Sequence, residues 1–351
     1  MSWQDLPYHL LLAGCSGWFL FNLRRQRSLP LALVLGLPAF AALILAAVFS
    51  RDGFDFMRLV GLAIFFYGPV VLAVTTWLLA RVRPLQAVGC AVTALLLVAI
   101  YVDAYHYEPW QLEVNHVRVR ARGARAPLRI AVLADIQTDS VGVHEQRAVA
   151  AAFTEHPDLI LLPGDHLQVY GPERRAQIEP WRRLFREARP WPPRGVWAVG
   201  GNVDPEGWEQ IFDGTLVERI VTQRTVDLGD GLFLTGLDLD ASFDHELLLA
   251  RPAGARYHVV FGHAPDYALG RVDADLLIAG HTHGGQVQLP LVGPLLTLSS
   301  VPRAWAAGVT ALDQERSLVV SRGVGLERGN APRLRFLCRP EVVIVEVPAG
   351  S

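Results

Sequence analysis

The chain contains no lysine; all 32 of its basic residues are arginine. We read that bias as genome composition, not as function. Cysteine is nearly absent too. Cys15 and Cys90 sit in apolar stretches and Cys338 is far from both. An odd number without local spacing excludes a disulfide framework and a zinc knuckle. A charge excess is also missing: 34 acidic residues against the arginines leave a net charge of −2, so bulk nucleic-acid binding is not expected. No internal repeat or low-complexity segment is present, and no specific protein partner is implied. The first apolar segment has no basic stretch before it, which argues against a signal peptide.

Hydrophobic residues, by contrast, make up 51% of 351 positions, and the mean hydropathy of +0.27 is high for a wholly soluble protein. The excess lies in residues 1–103, where four apolar segments run over about 8–23, 29–49, 59–80 and 85–102. A bilayer core needs roughly 20 apolar residues as a helix. The second and third segments meet that; the others are somewhat short. We expect a four-span transmembrane anchor over 1–103, a linker and first strand over 104–127, and a second domain over 128–351. With almost no internal charge, the spans suit anchoring and not transport. Arg24, Arg25 and Arg27 lie in the first loop, Arg51 and Arg58 in the second, and Arg81 and Arg83 in the third. Basic loops stay cytoplasmic, so both termini should face outward from a bacterial inner membrane. No arginine follows the fourth span until Arg118, in keeping with an outward C-terminal domain.

From Arg118 onward the pattern changes. "LRIAVLADI", "PDLILLPGD", "RGVWAVGGN", "RYHVVFGHAP" and "ADLLIAGHT" are short, continuously apolar runs, as expected of strands buried on both faces. Helical patterns fall between the first three, near 143–155 and 174–188. This is an α/β arrangement, and such folds place their sites beyond the carboxyl ends of the strands. Each run ends in residues able to bind metal: Asp135 and Gln137; Asp165 and His166; Asn202 and Asp204; His263; His281 and His283. One Asp or His after a strand is usually a cap or a satisfied core residue. Five strands ending this way point to a divalent-cation site of the Mn, Fe or Zn kind. Residues i and i+2 of a strand or tight turn point the same way, so His281 and His283 can serve two neighbouring metals. Neighbouring glycines let the backbone turn sharply there.

At these residues the chain resembles the calcineurin-like metallophosphoesterases, most closely the membrane-associated YkuE-like bacterial branch. The likeness covers about 128–347, including "GHTHGGQVQLP" and "SRGVGLERGNAPRLRFLCRPEVVIVEV". It implies a two-sheet sandwich of α/β (α+β) type flanked by helices, two divalent metal ions, and hydrolysis of a phosphoester or pyrophosphate bond by a water activated between them. One ion would take Asp135, Gln137, Asp165 and His283; the other Asp165, Asn202, His263 and His281, with Asp165 bridging. The family usually has His where Gln137 stands, Asp where Gln168 stands, and a His near the leaving group where Val203 stands. Gln137 implies weaker affinity at the first position and a preference for Mn over Zn. Asp204 would ordinarily orient the missing His, and His166 is a candidate replacement acid. Arg322 and Arg328 are weaker candidates for holding phosphate. His144 and His258 read as surface or packing residues, and Trp181, Trp191, Trp197 and Trp208 as core or cover. The substrate is a phosphoester; lipid linkage is an option raised by membrane proximity alone. The alternative is a non-catalytic membrane receptor binding metal or a phosphorylated ligand, motivated by the replacements at 137 and 203.

Overall fold

The five apolar runs are strands, and alternation decides where their side chains go. The structure, a computed structural model, describes residues 5–25, 31–120, 124 and 126–349. It divides into a helical unit, Met1–His106 with Glu327–Arg333, and a β-rich unit, Tyr107–Leu326 with Leu334–Ser351.

The helical unit holds helices α1 (Leu6–Arg25), α2 (Leu31–Phe49), α3 (Gly53–Leu79) and α4 (Pro84–Val102). A π-helical turn at Ala63–Tyr67 interrupts α3. Four helices therefore stand where four apolar segments were expected. Among the described residues, however, only Gly53–Leu79 and Pro84–Trp110 are long and apolar enough to cross a membrane, with 17% and 11% of their apolar windows buried. The apolar stretch Gly36–Phe49 is shorter, and α1 is diluted by His9, Ser16 and Asn22. Two such helices suggest membrane association; four spans are not established. Arg58, counted above with the second loop, lies inside α3 and pairs with Asp5 and Asp55, while Arg51 pairs with Asp55. Arg27 lies outside the described residues.

The β-rich unit has two six-stranded sheets. In chain order its main strands are β1 (Glu113–Arg118), β2 (Leu128–Val132), β3 (Leu159–Pro163), β4 (Val196–Val199), β5 (Val217–Ile220), β6 (Arg224–Asp227), β7 (Leu232–Gly236), β8 (Tyr257–Phe261), β9 (Leu276–Ala279), β10 (Gly308–Ala311), β11 (Ser317–Val320) and β12 (Glu341–Val347). The first sheet is ordered β1-β12-β2-β3-β4-β5 and the second β10-β11-β9-β8-β7-β6. β2 to β5 are mutually parallel, as are β7, β8, β9 and β11.

Alternation sorts each strand. Ile130, Val132, Leu159 and Leu161 of the first sheet join Val259, Phe261, Ile278 and Val319 of the second in the core between the sheets. Ala131, Ile160 and Leu162 face outward and are covered by α5 (Val143–Thr154) and α6 (Gly171–Glu187) through Phe153, Trp181 and Phe185. Val260, Leu277 and Leu318 pack on Tyr267 across the second sheet's outer face. Burial of each such side chain contributes roughly 1.5–3 kcal/mol. The central strands are thus apolar on both faces, and their polar residues are displaced to the strand ends.

Candidate metal centre

Polar residues following the parallel strands of both sheets converge. The loops after β2 and β3 are zipped together, with Gln137 N donating to Asp165 O at 2.8 Å and Gln168 N to Thr138 O at 3.0 Å. Asp135, Asp165 and His283, all buried, offer ligand atoms within 4.8 Å of one another. Asn202, from the first sheet, meets two imidazoles of the second: its Oδ1 is 2.7 Å from His263 Nε2 and 3.0 Å from His281 Nδ1. Those two nitrogens are 3.2 Å apart. Asp165 links the groups, its Oδ2 lying 3.5 Å from His263 Nε2.

The tautomers follow from the acceptors. His263 Nδ1 donates to Pro163 O at 2.9 Å, and His281 Nε2 donates to Leu298 O at 3.0 Å. A carbonyl oxygen cannot donate, so the opposite nitrogen of each ring carries a lone pair when the ring is neutral. His263 is held neutral: burial, then the neighbouring His281, pushes its pKa well below the usual 6.5. When His281 is neutral as well, three lone-pair atoms meet at 2.7–3.2 Å. That arrangement is repulsive by itself and fits a cation, which the mixed nitrogen and oxygen donors suit.

Backbone geometry supports the assembly. Asp135, Gln137, Asp165, His281 and His283 all have positive φ, between 41° and 67°, which is uncommon for residues with a Cβ. Glycine is required where the chains approach most closely. A Cβ on Gly201 would lie 2.1 Å from Asp165 Oδ1, and one on Gly280 would lie 2.5 Å from Asp135 Oδ2. The amide of Val203 donates to Asp165 Oδ1 at 3.0 Å, and the amide of His281 lies 3.0 Å from both Asp135 carboxylate oxygens.

Two of the departures from the family pattern touch each other. Gln137 Nε2 donates to Gln168 Oε1 at 3.1 Å. With its nitrogen committed to Gln168, the amide presents its oxygen on the other side. The two replacements thus form a hydrogen-bonded amide pair beside Asp135 and Asp165.

Other candidates lie elsewhere. The His166 ring is turned away from the ligands into a pocket of Trp181, Trp208 and Phe212, at centroid distances of 5.1–5.8 Å. Its Nε2 donates to Val199 O, its Nδ1 has no hydrogen-bond partner among the described residues, and burial lowers its pKa. In this arrangement the His166 ring packs among aromatic side chains. Asp204 is a brace: its oxygens accept from the amides of His166 and Gly201 at 3.0 and 2.9 Å. Arg322 is engaged by Glu341 and Glu113 at 2.7 and 3.1 Å, so it is not free to clasp phosphate. Arg328 belongs to the Glu327–Arg333 segment of the helical unit. Trp181, Trp197 and Trp208 are buried, and Trp191 packs on Phe153. His144 bonds Val324 O, and His258 is wholly buried between Thr235 and Asp273.

Sequence reasoning missed Arg335. Its side chain is fully buried, donates to the carbonyls of Arg322, Gly323, Gly325 and Cys338, and approaches His283 Nδ1 at 3.5 Å. The segment it gathers props the first ligand, since Gly325 N donates to Asp135 O at 2.7 Å. An arginine in a polar stretch carries no local signal for burial.

Residues 128–285 match the family model for calcineurin-like phosphoesterases. The chain is 28% identical to the uncharacterized metallophosphoesterase YkuE of Bacillus subtilis over 60% of this chain and 72% of that protein. It is 29% identical to the phosphodiesterase YaeI of Escherichia coli over 69% of this chain and 91% of that protein. The solved phosphoesterase Yfce from E. coli aligns at 17% identity with a TM-score of 0.28, covering 59% of this chain and 85% of that one.

Proposed function

Residues 128–285 form a calcineurin-like phosphoesterase domain, and from that premise we propose that the chain is a membrane-anchored phosphohydrolase whose site takes two divalent cations. The supporting observation is the meeting of Asn202 Oδ1, His263 Nε2 and His281 Nδ1 within 3.2 Å of one another. The first position would be held by Asp135, Gln137, Asp165 and His283, the second by Asp165, Asn202, His263 and His281. When bound, such a pair neutralises phosphoryl oxygens and makes water nucleophilic near neutral pH.

The chain's own residues set the terms. Pro163 O and Leu298 O hold the two imidazole protons away from the centre, and the Val203 amide orients Asp165. The first position offers three oxygen-donor side chains and one imidazole, which favours manganese over zinc. Val203 has no proton to give, and His166 is sealed in its aromatic pocket. A positioned acid contributes roughly 10²–10⁴ in rate, so the chain suits leaving groups stable as anions, aryl esters and pyrophosphates before alkyl esters. The arginine pattern supports an outward-facing catalytic domain. A reporter fused after residue 351 should be active only when exported, and cytoplasmic activity would reverse that orientation.

The decisive assay is turnover of an aryl phosphodiester by the purified full-length chain with Mn, Fe, Co or Zn. Activity should require metal, and Asp165→Asn should abolish it and lower bound metal. Tight metal binding with no turnover under any ion would instead favour the receptor reading. A mutant with normal rate and normal metal content would remove Asp165 from the centre.

A further inference from the structure

A cleft of about 480 Å³ adjoins the metal ligands and plays no part in the chemistry above. Its wall is mixed: Phe243, Leu295, Leu296 and Leu298 supply apolar surface, and Asp266, Thr297, Ser299, Ser300 and Arg303 supply polar surface. It opens directly onto the centre: the Phe243 ring lies 4.9 Å from that of His281, and Leu298 supplies the carbonyl that holds His281 Nε2. The segment that forms its wall has an unusual composition. Residues 284–302 include no charged side chain. Within them Leu291, Val292, Leu295, Leu296 and Leu298 are 43–109% exposed. Single exposed leucines need no explanation, but five apolar side chains within eight residues form a patch of the kind that marks a binding surface. The segment is ordered by internal pairing of Gln288–Leu289 with Gly293–Pro294. Ser299 Oγ and Ser300 N bond the Asp266 carboxylate at 2.6 and 2.8 Å.

We propose that this cleft receives the polar head of an acylated or alkylated phosphoester while the exposed leucines at its edge take the hydrocarbon chain, so that the substrate class is a lipid-linked phosphoester. This rests on the phosphoesterase reading. The phosphoryl group would lie at the ligands, with Arg303 offering a cation to the anionic head and the chain running over Leu295, Leu296 and Leu298. The helices Gly53–Leu79 and Pro84–Trp110, long and apolar enough to cross a membrane, are consistent with a lipid substrate within the chain's reach.

The test is calorimetric binding of ethyl-, butyl- and hexylphosphonate to the full-length protein in amphipol, with and without manganese. These chains are short enough to stay out of the amphipol. A buried methylene contributes about fourfold in affinity, and in an open cleft the four added between ethyl and hexyl should together give about tenfold or more. Leu295→Ser/Leu296→Ser should flatten that dependence, with ethylphosphonate as the internal reference for an intact phosphoryl end. Affinity independent of chain length, or a gain that survives the double substitution, overturns the proposal. Chain-length-dependent binding that ignores manganese would support the cleft while removing the metal-centred reading on which the phosphoryl end depends.

Discussion

Replacing Gly201 by alanine tests the centre without touching any ligand. The new Cβ would sit 2.1 Å from Asp165 Oδ1 and 2.3 Å from Asp165 N, whereas ordinary contacts begin near 3.4 Å. The shortfall is about 1.3 Å for the carboxylate oxygen, and the second atom is backbone, which cannot swing aside. Asp165 must therefore move, and with it the one carboxylate shared by both proposed metal positions. A misplacement of about 1 Å in a catalytic constellation costs on the order of 10²-fold, so kcat/KM should fall at least that far. Metal content should fall too, and overpacking should cost about 1–3 kcal/mol of stability. Gly142→Ala is the control, because its Cβ would meet nothing nearer than 3.7 Å. Activity, bound metal by elemental analysis and the thermal midpoint should be measured together. If Gly201→Ala keeps activity within threefold of wild type and its full metal content, the carboxylate is not where the argument needs it.

The contact between Gln137 and Gln168 predicts that Gln168→Met loses one of two bound ions, since the Gln137 amide is no longer oriented, with about 10–100-fold weaker affinity at that position. Gln168→Glu, which still accepts from Gln137 Nε2, should keep both ions; equal stoichiometry in the two variants would refute a positioning role. His258 predicts a pH effect away from the site. Burial lowers its pKa from 6.5, so the unfolded chain binds a proton that the folded chain refuses. Its contribution is complete above pH 6.5 and is lost as pH falls below it, by at most about 1.4 kcal/mol per pH unit. Urea titrations at pH 7.5 and 5.5 should show a smaller drop for His258→Gln than for wild type, and an unchanged drop would contradict this.

The strands were legible because burial on both faces leaves an unbroken apolar run, and the seven candidate ligands because each such run stops at one. What escaped depends on the third dimension. Gln137 and Gln168 each stood out as a replacement, but only the zipped loops show that they bond to each other. The carbonyls of Pro163 and Leu298 are main chain and carry no sequence signal, although they decide which nitrogens can bind metal. The aromatic surroundings of His166 likewise carry no signal in its position directly after Asp165. Among the helices, apolar composition gave their number, yet α1 is too polar to pass as a span on composition alone.

Five of the seven candidate ligands lie on left-handed backbone. Each such residue costs on the order of 1 kcal/mol, and zipped loops and close glycine contacts hold it there before any cation enters. The consequence is a rigid mould. Ordering entropy is spent during folding, so an ion arriving at the proposed centre would meet side chains already in place, and exchanging one ion for another would require no rearrangement of the chain. The same rigidity sets the limit of tolerance: an ion of the wrong radius cannot draw the ligands to itself, and selectivity at this centre becomes a matter of size as much as of donor chemistry.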